Sequence, residues 1–499
     1  MKSLISLFGI CLSLSAAAWT ENFDYTYIAP PEGIDPQVGG MSALPDGRIA
    51  IAFHRGEVMI YDPSTGSWVQ FAGGLQEPLG LLAESKDSML VMQRSELTRL
   101  KDNDGDGEAD SYETVCDDFG MSGNYHEFAY GPAKDKEGNL FIVLGVASNG
   151  ASMREEIRGE FSEIGELGRE QMMNAADWKK NKDKAGRMYS RVKWRGWVLK
   201  ITPDGSVQPY ASGFRSPNGI GFDAKGRLLI ADNQGDWRPT SPLYHIKEGG
   251  FYGHPASLVW KKDWNGRNPL DIDASEFDAM QEPAAGYFPQ GELANSPTWP
   301  VVIPEGAFPG GMARQTLIGE MNQPTLVRVL DDEVDGVFQT GLVPMFDGPD
   351  LGIGNNRLLF GNDGALYVGK TALSWAGSKG LLRIKWNGKP FLALDAMKAT
   401  RSGFDMTFSE AIDPASLAGL SVKRHTYKYH ANYGSAKIDE QKVAVKAANL
   451  SRDGRTLHLD IGGLKEKYLH LVDMTSLRSK SGGEIQGHKV WYNVIKAPK

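Results

Sequence analysis

Asp102, Asp104, Asp106, Glu108, Asp110 and Glu113 crowd into one twelve-residue run, Asp102-Asn103-Asp104-Gly105-Asp106-Gly107-Glu108-Ala109-Asp110-Ser111-Tyr112-Glu113. Oxygen side chains at positions 1, 3 and 5, Gly at 6, a backbone carbonyl from Glu108 at 7, Asp at 9 and Glu at 12 make the pattern of a calcium loop. A hard divalent cation takes several oxygens at once, and carboxylates this close repel one another without a cation. The flanks, Leu97-Thr98-Arg99-Leu100 and Tyr112-Glu113-Thr114-Val115, read as strands rather than helices. The expectation is therefore a structural Ca²⁺ clip on a hairpin rather than a helix-opening switch; an empty acidic turn is the alternative. His54, His245 and His254 lack the close pairing of a zinc site and read as structural. No Cys-x-x-Cys-His occurs, so the chain cannot attach its own c-type haem.

These residues must be positioned by a large scaffold. The 499 residues carry 54 Lys plus Arg and 62 Asp plus Glu, a net charge of −8. That balance argues against nucleic acid, whose phosphates need a basic face. No apolar run of membrane-spanning length follows the first twenty positions, so no integral membrane span is expected. Residues 1–18 read as a signal peptide: Lys2, an apolar stretch from Leu4 to Leu14, then Ala16-Ala17-Ala18 before Trp19. The protein is expected to be exported, periplasmic or secreted. Gly9-Ile10 before Cys11 argues against a lipid anchor, and Cys116 is left without a disulfide partner.

A strand, a tight turn and a second apolar strand recur around Gly47, Asp87, Gly138, Gly226 and Gly364, at separations of 40, 51, 88 and 138 residues. Units of roughly 40–50 residues are the spacing of propeller blades. The fold class expected is all-β: a six-bladed β-propeller over 19–391, then a β-sandwich, immunoglobulin-like, over 392–499. Residues 152–190, rich in Glu and Lys, suit a polar helical insertion between blades, either a solvated excursion or a lid. In the sandwich, Tyr427, Tyr429 and Tyr433 are expected to support the sheet rather than bind a glycan or a partner.

Two segments carry a resemblance. Asn124-Tyr125-His126-Glu127-Phe128-Ala129-Tyr130-Gly131-Pro132 is similar to the segment bearing the catalytic His of soluble glucose and sorbosone dehydrogenases. Gly213-Phe214-Arg215-Ser216-Pro217-Asn218-Gly219-Ile220-Gly221-Phe222 resembles their Arg-containing cofactor segment, and the likeness runs on through Asp232-Asn233-Gln234-Gly235-Asp236 to Glu248-Gly249-Gly250-Phe251-Tyr252-Gly253-His254-Pro255. It covers roughly residues 35–390. What it implies is a propeller that binds pyrroloquinoline quinone (PQQ) and Ca²⁺ and oxidises a sugar. His126 takes the role of general base, Arg215 and Asn218 contact the cofactor, and Gly235 and Asp236 lie where the family draws calcium ligands. A separate electron acceptor is then required.

The chain departs from that family. Its Lys facing the cofactor is replaced here by Asn322, and where it has two close Arg residues, Asn355-Asn356-Arg357 offers one. Fewer cations weaken the grip on an acidic cofactor. Two other readings stay open. Tyr125, His126 and Arg215 suit cofactor-free β-elimination of a uronic acid, with Arg neutralising the carboxylate and His or Tyr moving protons. The propeller and sandwich also suit a non-catalytic scaffold that binds glycan or protein.

Overall fold

The computed structural model describes residues 19–373 and 377–499, so the signal peptide and Cys11 lie outside the described residues. Six four-stranded antiparallel units make up the first part of the chain. Blade I runs from Val38–Ala43 to Trp68–Ala72, blade II from Leu81–Ala83 to Ser111–Cys116, and blade III from Ala129–Lys134 to Val207–Ser212. Blade IV runs from Pro217–Phe222 to Gly286–Phe288 and blade V from Pro297–Val302 to Val337–Met345. Blade VI combines Asn355–Phe360, Leu366–Lys370 and Gly380–Trp386 with the early strand Phe23–Ile28, which pairs antiparallel with Gly380–Trp386 and closes the ring.

Each first strand touches the first strand of the next blade, and that of blade VI touches that of blade I, so the circle is complete. The second strands are apolar along almost their whole length and buried: Ile49–Phe53, Leu140–Leu144, Leu228–Asp232 and Leu366–Lys370. Both of their faces are covered by neighbouring blades, which is why they lack alternation. Outer strands such as Ser111–Cys116 expose alternate or successive residues. Near the axis the inner strands converge so tightly that a Cβ on Gly80 would strike the Gly131 carbonyl oxygen.

The turns at Gly47, Asp87, Gly138, Gly226 and Gly364 join first to second strands in blades I, II, III, IV and VI. Blade V has a longer connection, from Val302 to Thr316, in place of that turn. At the other end of each blade, the start of the first strand and the end of the second meet and form the face that carries the site.

The polar insertion lies within blade III, between its second and third strands, rather than between blades. It pairs Ala147–Ser148 with Met188–Tyr189, holds two short helices, Arg169–Met173 and Ala175–Asn181, and closes over a small core that includes Met153, Met172, Trp178 and Tyr189. Inserting there places it on the site face. The C-terminal part forms two sheets around a core containing Leu394, Phe404, Met406, Phe408, Leu459 and Val472. One of these sheets continues blade V: Val337–Met345 pairs antiparallel with Lys489–Val494. The sandwich is thus hydrogen-bonded into the propeller. Among the described residues, no helix is long and apolar enough to cross a membrane.

Candidate functional site

Two adjoining chambers of about 70 and 130 Å³ open at the site face and share Tyr125, His126 and Asn233. Among the described residues, no carboxylate borders either one. The lining is instead rich in amides, with Asn218 and Asn356 on one side and Gln234, Gln290, Asn295 and Asn322 on the other.

His126 precedes the first strand of blade III in a loop held from several directions. Asn124 Oδ1 accepts from His126 N at 3.0 Å and Ser148 N at 3.1 Å. Arg94 Nη1 donates to the Asn124 and Tyr125 carbonyls, and Arg195 Nη1 to those of Glu127 and Phe128. The ring's Nδ1 lies 3.0 Å from the Val146 carbonyl, a contact that requires Nδ1 to carry the hydrogen and leaves the Nε2 lone pair as the basic site. Burial, with Arg215 beside it, pushes His126 down to about 4, so it is neutral at ordinary pH. Tyr125 is half exposed, with its hydroxyl 3.2 Å from Ser148 Oγ.

Arg215 sits at the entrance to blade IV, where Asp232, the last residue of the second strand, accepts from the backbone N–H groups of Arg215, Ser216 and Asn233. The guanidinium is buried, and its Nε donates to Asp236 Oδ1 at 2.8 Å. His254 Nε2 holds Asp236 Oδ2 at 3.1 Å. Burial works to raise the Asp236 carboxyl, but the His254 bond and Arg215 overcome it and keep the group ionised. Gly235 is required beneath Arg215, because a Cβ there would overlap the guanidinium, and its carbonyl accepts from Gly434 N at 2.9 Å.

Blade V is organised by the equivalent residue. Glu320 ends its second strand and accepts from the backbone N–H groups of Asn295, Ser296, Asn322 and Gln323, which sets Asn322 on the chamber wall. In blade VI the equivalent is Lys370, whose Nζ donates to the Leu351 and Ile353 carbonyls and Asn355 Oδ1. Burial pushes this amine down to about 8.

Arg357 corrects the expectation of a cofactor contact. Its guanidinium is buried on the propeller axis and borders neither chamber. Nε donates to Gly39 O of blade I at 2.7 Å, Nη2 to Leu79 O of blade II at 2.9 Å, and Nη1 to Asn218 Oδ1 of blade IV at 3.1 Å. The rings of Tyr130 and Trp299, from blades III and V, lie 5.4 and 5.1 Å from it. It therefore joins all six blades and reaches the site through Asn218, Asn356 and Tyr130.

The expected calcium ligands divide. In the hairpin loop of blade II, carboxylate oxygens of Asp102, Asp104 and Asp106 gather within 4.8 Å of one another. Glu113 leaves the set: strand 111–116 carries it along the sheet, where it pairs with Lys101 Nζ at 2.9 Å. Asp110 accepts from Asn103 N, and Glu108 is exposed. The position-12 ligand of such a loop arrives on a helix, and the strand here has a longer rise per residue. At Gly235 the carbonyl accepts from both Gly434 N and Arg238 N, and Arg215 offsets the Asp236 charge, so that pair is poorly suited to a calcium ion.

Several lining residues were not anticipated. Among the described residues, Asn233 Oδ1 is buried with no hydrogen-bond partner, while its Nδ2 donates to Ser216 O. It lies inside the Asp232–Asp236 segment, and only the chamber distinguishes it there. Arg187 comes from the insertion with no local motif to mark it, and Tyr433, expected to support the sandwich sheet, lies instead on a connection between strands, half exposed, and borders the chamber.

The family model described as a domain of unknown function, DUF7133, matches residues 60–193. No curated protein matches the chain. Among solved structures the chain is similar to an oxidoreductase of the glucose dehydrogenase kind from Thermus thermophilus, at 18% identity and TM-score 0.47, over 72% of this chain and 99% of that one. It is similar to the PQQ-bound aldose sugar dehydrogenase of Streptomyces coelicolor, at 14% and 0.46, over 74% and 99%. It is likewise similar to the holo PQQ domain of pyranose dehydrogenase from Coprinopsis cinerea, at 12% and 0.49, over 73% and 95%.

Proposed function

We propose that the chain is an exported carbohydrate dehydrogenase of the quinone-dependent propeller kind. The observation that carries this reading is His126: a neutral imidazole whose Nδ1 is fixed on the Val146 carbonyl, bordering two amide-lined chambers beside a buried guanidinium.

The residues suit a sugar. Amides offer donors and acceptors to hydroxyl groups, Asn233 Oδ1 lacks a donor among the described residues, and Tyr125, Phe128 and Tyr130 give apolar faces. In the reaction His126 Nε2 takes the hydroxyl proton as hydride leaves the carbon bearing it. A base of this kind contributes roughly 10²–10⁴-fold. Arg215, held by Asp236, places positive charge beside that centre without solvent reorganisation. Arg215, Asn218 and Asn322 would hold a planar quinone with carboxylates, and that group would supply the hydride acceptor and a route for electrons to a separate acceptor. The chambers are small against ligand cavities of roughly 300–1,000 Å³, and half-exposed Tyr125, 3.2 Å from Ser148 Oγ, stands at the border of both.

Titration of PQQ into the purified protein, followed by a sugar screen with an artificial acceptor, tests the reading. Saturable binding that Arg215→Ala weakens, with turnover that His126→Ala removes, supports it. Absence of binding at high micromolar quinone overturns it. One observation favours a second reading: Tyr125, His126 and Arg215 border one chamber, the set that β-elimination of a uronate needs. Formation of an unsaturated sugar without quinone would select it.

A further inference from the structure

Two segments outside the regular blades converge over the chamber of about 130 Å³. The insertion of blade III returns along Met188–Tyr189 and delivers Arg187, whose carbonyl accepts from Asn149 N at 2.9 Å. The sandwich delivers Tyr433 on the connection between Ser421–Thr426 and Ile438–Val443. That connection is tied to blade IV: Gly434 N donates to Gly235 O at 2.9 Å, Ser435 N to Pro239 O at 2.8 Å, and Tyr429 Oη to Gly253 O at 2.6 Å. The guanidinium carbon of Arg187 lies 4.5 Å from the Tyr433 ring centroid, and that of Arg215 lies 5.5 Å from it.

One aromatic ring therefore holds two guanidinium groups at the border of the same chamber. Asp236 offsets Arg215, but among the described residues no ion pair offsets Arg187 and no carboxylate lines the chamber. His126 is neutral, which leaves about one positive charge facing the cavity of a chain whose net charge is −8. Like charges held together by a ring gain from an anion between them. Asn233, more than nine-tenths buried with its Oδ1 unpartnered among the described residues, borders the same chamber and calls for a donor such as a sugar hydroxyl.

We infer that Arg187, held on the Tyr433 ring that also bears Arg215, forms an anion subsite that selects a sugar carrying a carboxylate. The planar guanidinium fork matches a carboxylate in two bonds. Arg187 is the contact made to substrate, and Tyr433 is a positioning residue that acts through the two arginines. The inference deepens the dehydrogenase reading by naming its substrate class, yet the subsite is testable without quinone or turnover.

The experiment is calorimetric titration of the full quinone-free protein with a galacturonate trisaccharide and with its neutral galactose counterpart. Acidic sugar is expected to bind at least about tenfold tighter at low salt. Arg187→Gln should abolish the preference for the acidic sugar, and because Arg187 is exposed the variant should melt with the wild type. Tyr433→Leu should reduce the preference and Tyr433→Phe restore it. Equal affinity for the two sugars, or a preference untouched in Arg187→Gln, overturns the subsite. It also falls if Arg187→Gln weakens PQQ binding and spares sugar discrimination, since the pair then belongs to the cofactor. Acid preference without quinone-linked turnover keeps the subsite and removes the oxidation.

Discussion

Arg357 Nη1 donates to Asn218 Oδ1 at 3.1 Å, and through that bond the residue on the propeller axis sets a residue on the chamber wall. The same guanidinium satisfies carbonyls of Gly39 and Leu79, with no carboxylate partner among the described residues, and burial pushes it down to about 10. Replacing it by Met leaves those acceptors buried without donors, at about 1–3 kcal/mol each. Arg357→Met should lower stability by roughly 3 kcal/mol or more, read by urea unfolding. A variant that melts like the wild type but binds quinone poorly would return Arg357 to the role of cofactor contact.

His126 gives a pH dependence whose sign follows from its depressed value. The folded group titrates near 4, against an ordinary 6.5, chiefly because burial disfavours the imidazolium. Between those values the unfolded chain binds the extra proton and the folded one does not. Its contribution to stability is therefore present above pH 6.5 and lost as pH falls through 4. The turnover rate should share the acid limb near pH 4 and stay flat above it, unlike a base of ordinary value. In His126→Gln the stability slope between pH 6.5 and 4 should flatten; an unchanged slope would assign it to other groups.

Calcium separates two places. If the blade II loop binds Ca²⁺ through Asp102, Asp104 and Asp106, chelation lowers the melting temperature and Asp104→Asn abolishes that response. Glu113→Gln should leave it intact, since Glu113 faces Lys101. Quinone affinity should not respond to chelation, because the Gly235 carbonyl already accepts two backbone N–H groups and Arg215 offsets the Asp236 charge. Melting that ignores chelator, with no metal found by elemental analysis, would leave the loop an empty acidic turn.

The propeller was legible because its turns are local. Gly47, Asp87, Gly138, Gly226 and Gly364 each join two adjacent strands, and such chemistry is written within a few residues. The copy in blade V was invisible because a longer connection replaces the turn. Tyr125, His126, Arg215, Asn218 and Asn322 all border the two chambers, so motif and position coincide there. Arg357 was misread because motif spacing does not say whether a side chain faces the axis or the chamber. Arg187 and Tyr433 are far apart in sequence and meet only through the insertion and the sandwich. Asp236 lies in a stretch whose motif points to metal, while its partners in the fold, Arg215 and His254, come from sequence positions that the motif does not reveal.

Glu320 shows how blade ends build the site. Its two oxygens accept four backbone N–H groups, from Asn295, Ser296, Asn322 and Gln323, and the first three of those residues border the chamber that holds His126. Burial pushes the carboxyl up to about 7, with the four N–H groups working against it. Because that lies above the ordinary 4.5, the folded chain holds the proton more firmly. This group's contribution is full below pH 4.5 and is lost as pH rises through 7. In Glu320→Gln that loss should vanish. The new NH₂ would also face backbone donors, at about 1–3 kcal/mol for each N–H left unpaired. Sugar affinity should fall with it as the Asn295 and Asn322 loops loosen. Urea unfolding of wild type and variant from about pH 4.5 to 7.5 reads the slope, and titration with sugar reads the loosening. A variant that keeps the wild-type slope and affinity would show that the blade V loops hold their shape without Glu320.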